Sequence, residues 1–154
     1  YCDVFRRNYG LKTVCLRYFN VYGPLQDPNS QYGAVIPMFI RRTLDGKPPI
    51  IFGNGEQTRD FVSVRDVAEA NIMAAQSDVS GLFNIGSGAS VTINQLARII
   101  VKLIGNKLEP IYQEVREGDI KNSSADVSKA KAFGYAPKYD LEDGLAITIR
   151  WFNS

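Results

Sequence analysis

Residues 1–18 read YCDVFRRNYGLKTVCLRY, and this stretch decides the fold class. Val4 and Phe5 lie opposite two arginines, so the spacing predicts the end of an amphipathic helix that Gly10 closes. The β-branched and apolar run over 13–18 predicts a buried strand. A helix, a glycine and then an apolar strand follow one another in this way in α/β sheets.

The rest of the chain alternates helical and strand-like segments with turns between them. Two prolines, a glycine and many polar residues over 20–32 predict a long loop, and such loops hold ligands in α/β proteins. The strands over 13–18 and 82–86 are expected at the far end of a larger parallel sheet, and the other elements form a smaller lobe. The spacing predicts helices over 34–44, 66–76, 92–104 (capped by Thr92 or Asn94), 128–133 and 141–152, and strands over 50–52, 61–64 and 109–113.

The composition is that of one globular domain and argues against several classes of function. The chain has 154 residues, of which 45% are hydrophobic and 22% are charged. A formal net charge of +2 is too small to favour binding of nucleic acid or of a membrane surface. No apolar run approaches the ~20 residues that a membrane-spanning helix needs.

The reactive side chains limit the chemistry further. There is no histidine, so the usual general base and the commonest metal ligand are absent. Cys2 and Cys15 form no CxxC pair and lie among apolar residues, so we expect two buried free thiols and no metal site. The chain begins at Tyr1, inside an expected helix and without a methionine or a signal peptide, which favours part of a longer protein.

Three polar clusters are candidates for ligand binding. Asn20 follows the buried strand, where parallel sheets bind ligands, and its amide could donate to a phosphate or sugar oxygen or only cap the loop. Arg59 follows a turn with two glycines, and its guanidinium could hold a phosphate through paired donors or could pair with Glu56 or Asp60. The segment REGD at 116–119 offers a second cation and a carboxylate suited to ribose hydroxyls, or it is a solvated turn.

A fourth segment, FNIGSG at 83–88, carries a glycine turn. Its GxG spacing lacks the following GxxG of a dinucleotide-binding loop, so it is a weak signal for phosphate binding. We interpret this segment as a turn between a strand and a helix.

Five strings occur in an order that resembles one family. They are LRYFNVYGP at 16–24, YGAVIP at 32–37, IFGNGEQTRDFVSVRDVAEA at 51–70, FNIGSG at 83–88 and REGDIKNSSADVSKAKAFGY at 116–135. Together they span nearly the whole chain and resemble the extended short-chain dehydrogenase/reductase family. The nearest likeness is to NAD-dependent UDP-sugar 4-epimerases of the UDP-glucose and UDP-N-acetylglucosamine type. The five strings in order are specific to the family and less specific to the reaction.

The resemblance implies a role for each site residue. One asparagine and two arginines would bind the diphosphate of a UDP-sugar, and Asp119 would touch the ribose or orient Arg116. The backbone near 34–36 would face the uracil. Tyr18 and the backbone of Phe19 would lie near the nicotinamide of NAD. The implied substrate-binding residues are Asn20, Ala34, Val35, Ile36, Arg59, Arg116, Asp119 and Ser123, and the implied cofactor-binding residues are Tyr18 and Phe19.

One position bears on the choice of sugar. In the family that the strings resemble, the residue four positions after the aspartate of the RxGD motif borders the sugar pocket, and a bulky side chain there disfavours N-acetylated sugars. Here this residue is Ser123. A small side chain leaves room for an N-acetyl group, so we favour UDP-GlcNAc and UDP-GalNAc, with UDP-Glc and UDP-Gal as further candidates.

Two motifs of the resembled family do not occur in these 154 residues. One is the GxxGxxG turn that binds NAD, and the other is YxxxK, whose lysine lowers the pKa of the tyrosine that takes the proton of the sugar. The resemblance therefore implies the carboxyl-terminal, substrate-binding lobe of an epimerase plus the last strands of a Rossmann-type parallel sheet. Residues 1–25 would end the dinucleotide-binding domain, and 26–154 would bind the UDP-sugar, with 61–88 packing back on the sheet.

Further expectations concern partners and alternatives. The resemblance implies a cytoplasmic homodimer as the whole enzyme, with NAD bound mainly by an amino-terminal half and no epimerase activity of this chain alone. Without that half, the helix over 1–9 and the two sheet strands would expose apolar faces and a strand edge. A nucleotide-sugar 4,6-dehydratase or decarboxylase of the same family, or a non-catalytic nucleotide-sugar binding module, are the alternatives.

Overall fold

A computed structural model describes residues 1–27 and 34–154, which form a mixed α/β structure. The helices are α1 (Cys2–Tyr9), α2 (Val35–Leu44), α3 (Val64–Gln76), α4 (Ile93–Ile104) and α5 (Leu141–Phe152), and Ser128–Phe133 forms a short 3-10 helix. The strands are β1 (Val14–Tyr18), β2 (Asn20–Tyr22), β3 (Ile50–Phe52), β4 (Thr58–Arg59), β5 (Phe61–Ser63), β6 (Gly81–Ile85), β7 (Val91–Thr92) and β8 (Ile111–Gln113).

The strands pair in short ladders. β1 pairs in parallel with β6, with Leu16 opposite Phe83, and β2 pairs in parallel with β5. The two sheet strands expected from the sequence are therefore parallel neighbours, as predicted. β3 pairs in parallel with β8, whereas β4 pairs antiparallel with β7. The antiparallel pair brings Arg59 opposite Val91 and holds β4 beside the start of α4.

Local sequence signals determine where several helices end. Gly10 closes α1 with a φ of 68°, in the left-handed region that suits glycine. Thr92, and not Asn94, caps α4 through a capping box with Gln95. The side chain of Asp140 caps α5 by accepting a hydrogen bond from the backbone amide of Asp143. These ends lie close to where the sequence predicts them because capping depends only on neighbouring residues.

Two buried clusters hold the elements together. The first lies between α2, α4, α5 and β3, and the second lies between α3, β5, β6 and the 3-10 helix. Tyr22 of β2 belongs to the first cluster and approaches α5 so closely that a Cβ at Gly144 would lie 2.1 Å from its hydroxyl. The largest fully buried side chains of the first cluster include Ile36, Phe39, Ile40, Ile51, Leu96, Ile100 and Leu145.

Three details differ from the predicted elements. Asn20–Tyr22 form strand β2 where the sequence predicts the start of a loop, because they find a pairing partner in β5. The remainder of that predicted loop, at 28–33, lies outside the described residues. The third helix begins at Val64 because the Ser63 hydroxyl, and not Asp66, caps it. The segment 128–133 is helical as predicted but of the 3-10 type.

The surface of α1 differs from the expectation of buried cysteines. Cys2 is exposed and Cys15 is half-buried, so the prediction of two buried thiols is wrong. A hydrogen bond with the Cys2 thiol is the main cause that raises the pKa of Cys15. α1 buries none of its residues, and Val4 and Phe5 are 52% and 47% exposed.

Over the described ranges, no helix is both long and apolar enough to span a bilayer.

Candidate functional site

A cavity of about 390 Å³ opens between the start of α2, strands β3 and β4, and the segment that follows β8. Its wall carries side chains from several separate parts of the chain, which the pairing of β2 with β5, of β3 with β8 and of β4 with β7 helps to bring together. The cavity brings together six of the eight substrate-binding residues expected from the sequence, namely Asn20, Ala34, Val35, Arg59, Arg116 and Asp119.

The guanidinium of Arg59 is held in place before any ligand arrives. Its Nη1 donates to the carbonyl oxygens of Thr58 at 2.7 Å and Ile120 at 2.6 Å, and its Nη2 donates to Oδ1 of Asp119. The side chain of Arg59 is only 16% exposed, which strengthens this ion pair relative to a surface pair. Three of its five N–H bonds are thus used. The N–H of Nε and one of Nη2 have no partner within the described ranges and could bind an anion.

The carboxylate of Asp119 forms an ion pair with Arg59. The family resemblance implies that this carboxylate touches a ribose or orients Arg116, and in the structure its Oδ1 accepts from Arg59. Contact with a ribose stays a prediction. The alternatives in which Arg59 pairs with Glu56 or Asp60 are wrong, because the guanidinium donates to Ile120 and Asp119.

Arg116 takes a different position in the same cavity. Its Cζ lies 3.8 Å from the centroid of the Phe52 ring, which is the geometry of a cation–π contact. This contact orients the planar guanidinium without using its N–H bonds, so they stay available for a ligand. Phe52 belongs to β3 and also lines the cavity.

Asn20 is the third polar group of the site and begins β2, just after the carboxyl end of β1. Both the backbone amide and the side-chain Nδ2 of Asn20 donate to the carbonyl oxygen of Asp60, at 3.1 and 3.0 Å. Asn20 is therefore more than a loop cap. It is a member of β2 whose side chain is fixed against the residue that follows Arg59.

The start of α2 adds backbone donors to the cavity. Ala34 is the N-cap residue and has no side chain that can satisfy the first amides of the helix. The amides of Val35 and Ile36 have no acceptor among the residues that the structure describes, and Pro37 has no N–H. A helix N-terminus with free amides attracts anions because the peptide dipoles add to the hydrogen bonds.

The charges of the lining nearly cancel. Two arginines face Glu117 and Asp119, and Asp119 already compensates Arg59. The positive potential that remains comes mainly from Arg116 and the start of α2. Apolar side chains of β3 together with Met38 form another part of the lining. The lining thus offers donors to an anionic group and apolar surface to a planar, less polar group.

Phe52, Met38 and Gln57 are three of the lining residues that were not expected from the sequence. Phe52 and Met38 resemble ordinary core residues in the sequence, and only their place beside the cavity distinguishes them. The third, Gln57, donates from Nε2 to the carbonyl oxygen of Phe52 at 2.8 Å and so joins the two ends of the glycine turn. No local signal separates such a glutamine from a solvated turn residue.

Four expected site residues lie away from the cavity lining. The side chain of Ile36 is 1% exposed and lies in the first core, although its backbone belongs to the start of α2. Ser123 donates from its backbone amide to Thr58 at 3.2 Å. Tyr18 donates to Asn71 on α3 at 2.9 Å, and the backbone amide of Phe19 donates to Ile85. Within 1–27 and 34–154, no cluster of His, Cys, Asp and Glu could hold a metal ion.

Solved structures similar to this chain include two sugar-nucleotide epimerases. The UDP-N-acetylglucosamine 4-epimerase of Methanobrevibacter ruminantium M1, in complex with UDP-N-acetylmuramic acid, matches with a TM-score of 0.94 and 46% identity, over 98% of this chain and 49% of that chain. The UDP-glucose 4-epimerase of Thermotoga maritima, with UDP-glucose, matches with a TM-score of 0.93 and 43% identity, over 98% and 49%.

Curated relatives extend to a second activity. A UDP-N-acetyl-alpha-D-glucosaminuronate decarboxylase of Bacillus cytotoxicus is 38% identical over 152 residues, which is 93% of this chain and 47% of the relative. The chain spans about half the length of the curated relatives it matches. The sequence model of the NAD dependent epimerase/dehydratase family matches residues 1–86, which is more than half of the chain. The likeness predicted from the five sequence strings is thereby confirmed, and the chain belongs to the NAD dependent epimerase/dehydratase family.

Proposed function

We propose that this chain is the part of a UDP-hexose 4-epimerase that binds the UDP-sugar, acting on UDP-glucose or UDP-N-acetylglucosamine. The observation that carries the proposal is that Arg59, Arg116, Asn20 and the first residues of α2 line one cavity. A diphosphate needs several converging donors of this kind.

The arrangement suits a nucleoside diphosphate for reasons of both charge and shape. The guanidinium groups of Arg59 and Arg116 present paired N–H bonds to phosphate oxygens. Asp119 borders the cavity and can accept from a ribose hydroxyl while it still contacts Arg59. The apolar side chains of Met38, Ile50 and Ile51 provide a surface for the uracil ring. The cavity volume of about 390 Å³ lies within the range of small-ligand sites.

The chain offers less to NAD than to the UDP-sugar. Tyr18 lies at the carboxyl end of β1 with 45% of its surface exposed, so its ring is available to a planar cofactor. No GxxGxxG turn and no YxxxK pair occur in the 154 residues. We therefore propose that NAD and the proton transfer at the sugar depend mainly on residues outside this chain, and that the chain alone does not epimerise UDP-sugars. NAD would supply transient oxidation of the sugar in the whole enzyme.

A decarboxylase or dehydratase remains the second candidate. The relative from Bacillus cytotoxicus favours it, since that protein is named as a decarboxylase of a UDP-linked uronic acid. Both activities would use the same residues to bind UDP. Binding of UDP-glucuronic acid in preference to UDP-glucose would favour a UDP-uronic acid over UDP-glucose as the substrate.

The proposal is tested by calorimetric titration of the chain with UDP, UDP-glucose, UDP-GlcNAc and UDP-glucuronic acid. We expect saturable binding with one site per chain, and we expect UDP to retain most of the affinity of the UDP-sugars. Circular dichroism of the same sample shows whether it is folded. A folded sample that binds none of the four ligands would overturn the proposed function.

The side chain at position 123 is expected to tune the choice of sugar. We propose that Ser123 leaves room for an N-acetyl group, as the family resemblance implies. Replacing it (Ser123→Tyr) should weaken UDP-GlcNAc by about tenfold, the equivalent of about 1.4 kcal/mol, because the ring would occupy that space. Binding of UDP-glucose should change less than threefold. Titration of both ligands measures the ratio, and an equal loss for the two would contradict this role.

A further inference from the structure

Asp60 carries a buried carboxylate and does not line the cavity. It is 0% exposed, and four hydrogen bonds satisfy its two oxygens. Oδ1 accepts from the backbone amide and the hydroxyl of Ser87, both at 2.7 Å. Oδ2 accepts from the backbone amides of Gly88 and Ala125, both at 3.0 Å. Donors of this number stabilise a carboxylate that has lost its water.

These contacts join the parts of the chain that carry the polar side chains of the cavity. The carbonyl oxygen of Asp60 accepts both hydrogen bonds of Asn20. Asp60 directly follows Arg59, so its position limits where the guanidinium can reach. The bond to Ala125 anchors the end of the segment that carries Arg116 and Asp119. One carboxylate is thus connected to Asn20, to Arg59 and to the segment that carries Arg116.

The space around the carboxylate is closely matched to it. A Cβ at Gly86 would lie 2.5 Å from the Cβ of Ala125 and 3.0 Å from Oδ2 of Asp60. The GSG turn therefore approaches Asp60 closely enough for the backbone amides of Ser87 and Gly88 to reach it. The turn at 83–88, a weak phosphate signal in the sequence, thus binds a carboxylate of the chain itself.

We propose that Asp60 is a positioning residue for diphosphate binding, which holds Arg59, Asn20 and the segment at 116–125 in register. The inference rests on the proposed function, because it assumes that the cavity binds UDP. The carboxylate acts through the arginines and does not touch the ligand.

The test compares two buried carboxylates by replacing each with its amide. Asp60→Asn places an NH₂ group against backbone N–H groups and breaks at least one anchor. The matched control is Asp66→Asn, because Asp66 is 2% exposed and accepts from the amides of Lys138 at 2.9 Å and Tyr139 at 3.3 Å, away from the cavity lining. Affinities for UDP and for uridine are measured for each variant at a temperature where thermal melts show both to be folded.

The ratio of the two affinities separates positioning from general destabilisation. We expect Asp60→Asn to weaken UDP about tenfold or more, whereas uridine, which lacks the diphosphate, should change less than threefold. Asp66→Asn should lower the melting temperature and leave both affinities within about twofold of wild type. A variant at Asp60 that keeps the wild-type ratio of UDP to uridine affinity would overturn the proposal.

A milder variant covers the case in which Asp60→Asn does not fold. Ser87→Ala removes one hydroxyl donor to Oδ1 and leaves the carboxylate in place. This variant should lower the affinity for UDP about threefold and leave the affinity for uridine unchanged. An unaltered UDP affinity would count against positioning by Asp60. Failure of wild type to bind UDP would instead remove the proposed function, so the two failures are distinguishable.

Discussion

The Arg59→Ala/Arg116→Ala double variant is expected to lose UDP affinity by a factor of about 10²–10⁴. A hydrogen bond to a charged group contributes about 1.5–3 kcal/mol, so each guanidinium accounts for roughly one to two powers of ten. Removal of Arg59 has a second effect. It also takes away the contacts with Ile120 and Asp119 that hold the segment above the cavity. Calorimetric titration with UDP measures the loss.

A matched double variant controls for net charge. Arg41→Ala/Arg98→Ala removes two exposed arginines on α2 and α4, neither of which lines the cavity, and so lowers the formal charge from +2 to 0 just as the test variant does. We expect its affinity for UDP to stay within about threefold of wild type, since exposed charges that do not line the cavity are screened by water and salt. Similar losses in the two double variants would mean that the arginines act only through the field of the whole chain.

Gly55→Ala is expected to destabilise the chain by about 3–5 kcal/mol. Gly55 has a φ of 75°, in the left-handed region, and an added Cβ would lie 2.1 Å from Oδ1 of Asn94. That side chain is 8% exposed and donates to Asn54 and Glu56 while it accepts from Tyr112. Moving it would leave buried polar groups without partners. Chemical denaturation measures the change in the free energy of unfolding.

Gly53→Ala in the same turn separates the two causes. Gly53 has nearly the same backbone conformation, with a φ of 78°, but its added Cβ would meet only Cγ2 of Val115 at 3.3 Å. Val115 is 75% exposed and can move, so we expect only the backbone cost of about 1–2 kcal/mol. The difference between the variants gives the cost of displacing Asn94. Equal losses would show that Asn94 adapts to the added methyl group.

The elements that the sequence predicted well are those that depend on neighbouring residues. α2, α4 and α5 have apolar residues at helical spacing and clear ends, and the structure has them close to the predicted bounds. Among the short strands, β3 and β5 were predicted at or within one residue of their bounds, whereas β4 and β7 were missed. β4 and β7 have two residues each, which is too short for any periodicity, and they exist because they pair with one another.

The candidate site shows the same division. Motifs in order identified Asn20, Arg59, Arg116 and Asp119, and these side chains line one cavity. Their partners could not be predicted, since Arg59 and Asp119 are separated by 60 positions and meet only when β4 lies beside the segment that follows β8. The cysteine prediction failed for a related reason. An apolar neighbourhood in the sequence does not tell which parts of α1, with Cys2, and of β1, with Cys15, other elements cover.

By itself, the sequence determined the family, the helices and the residue types available to bind a diphosphate, because these depend on composition, spacing and motif order. Only the tertiary structure decided that Asp119 holds Arg59, that Arg116 lies against Phe52 and that the GSG turn binds Asp60. Each of these contacts joins residues that are distant in the chain. Their pairing depends on how the strands and turns approach one another, and local preferences carry no information about that approach.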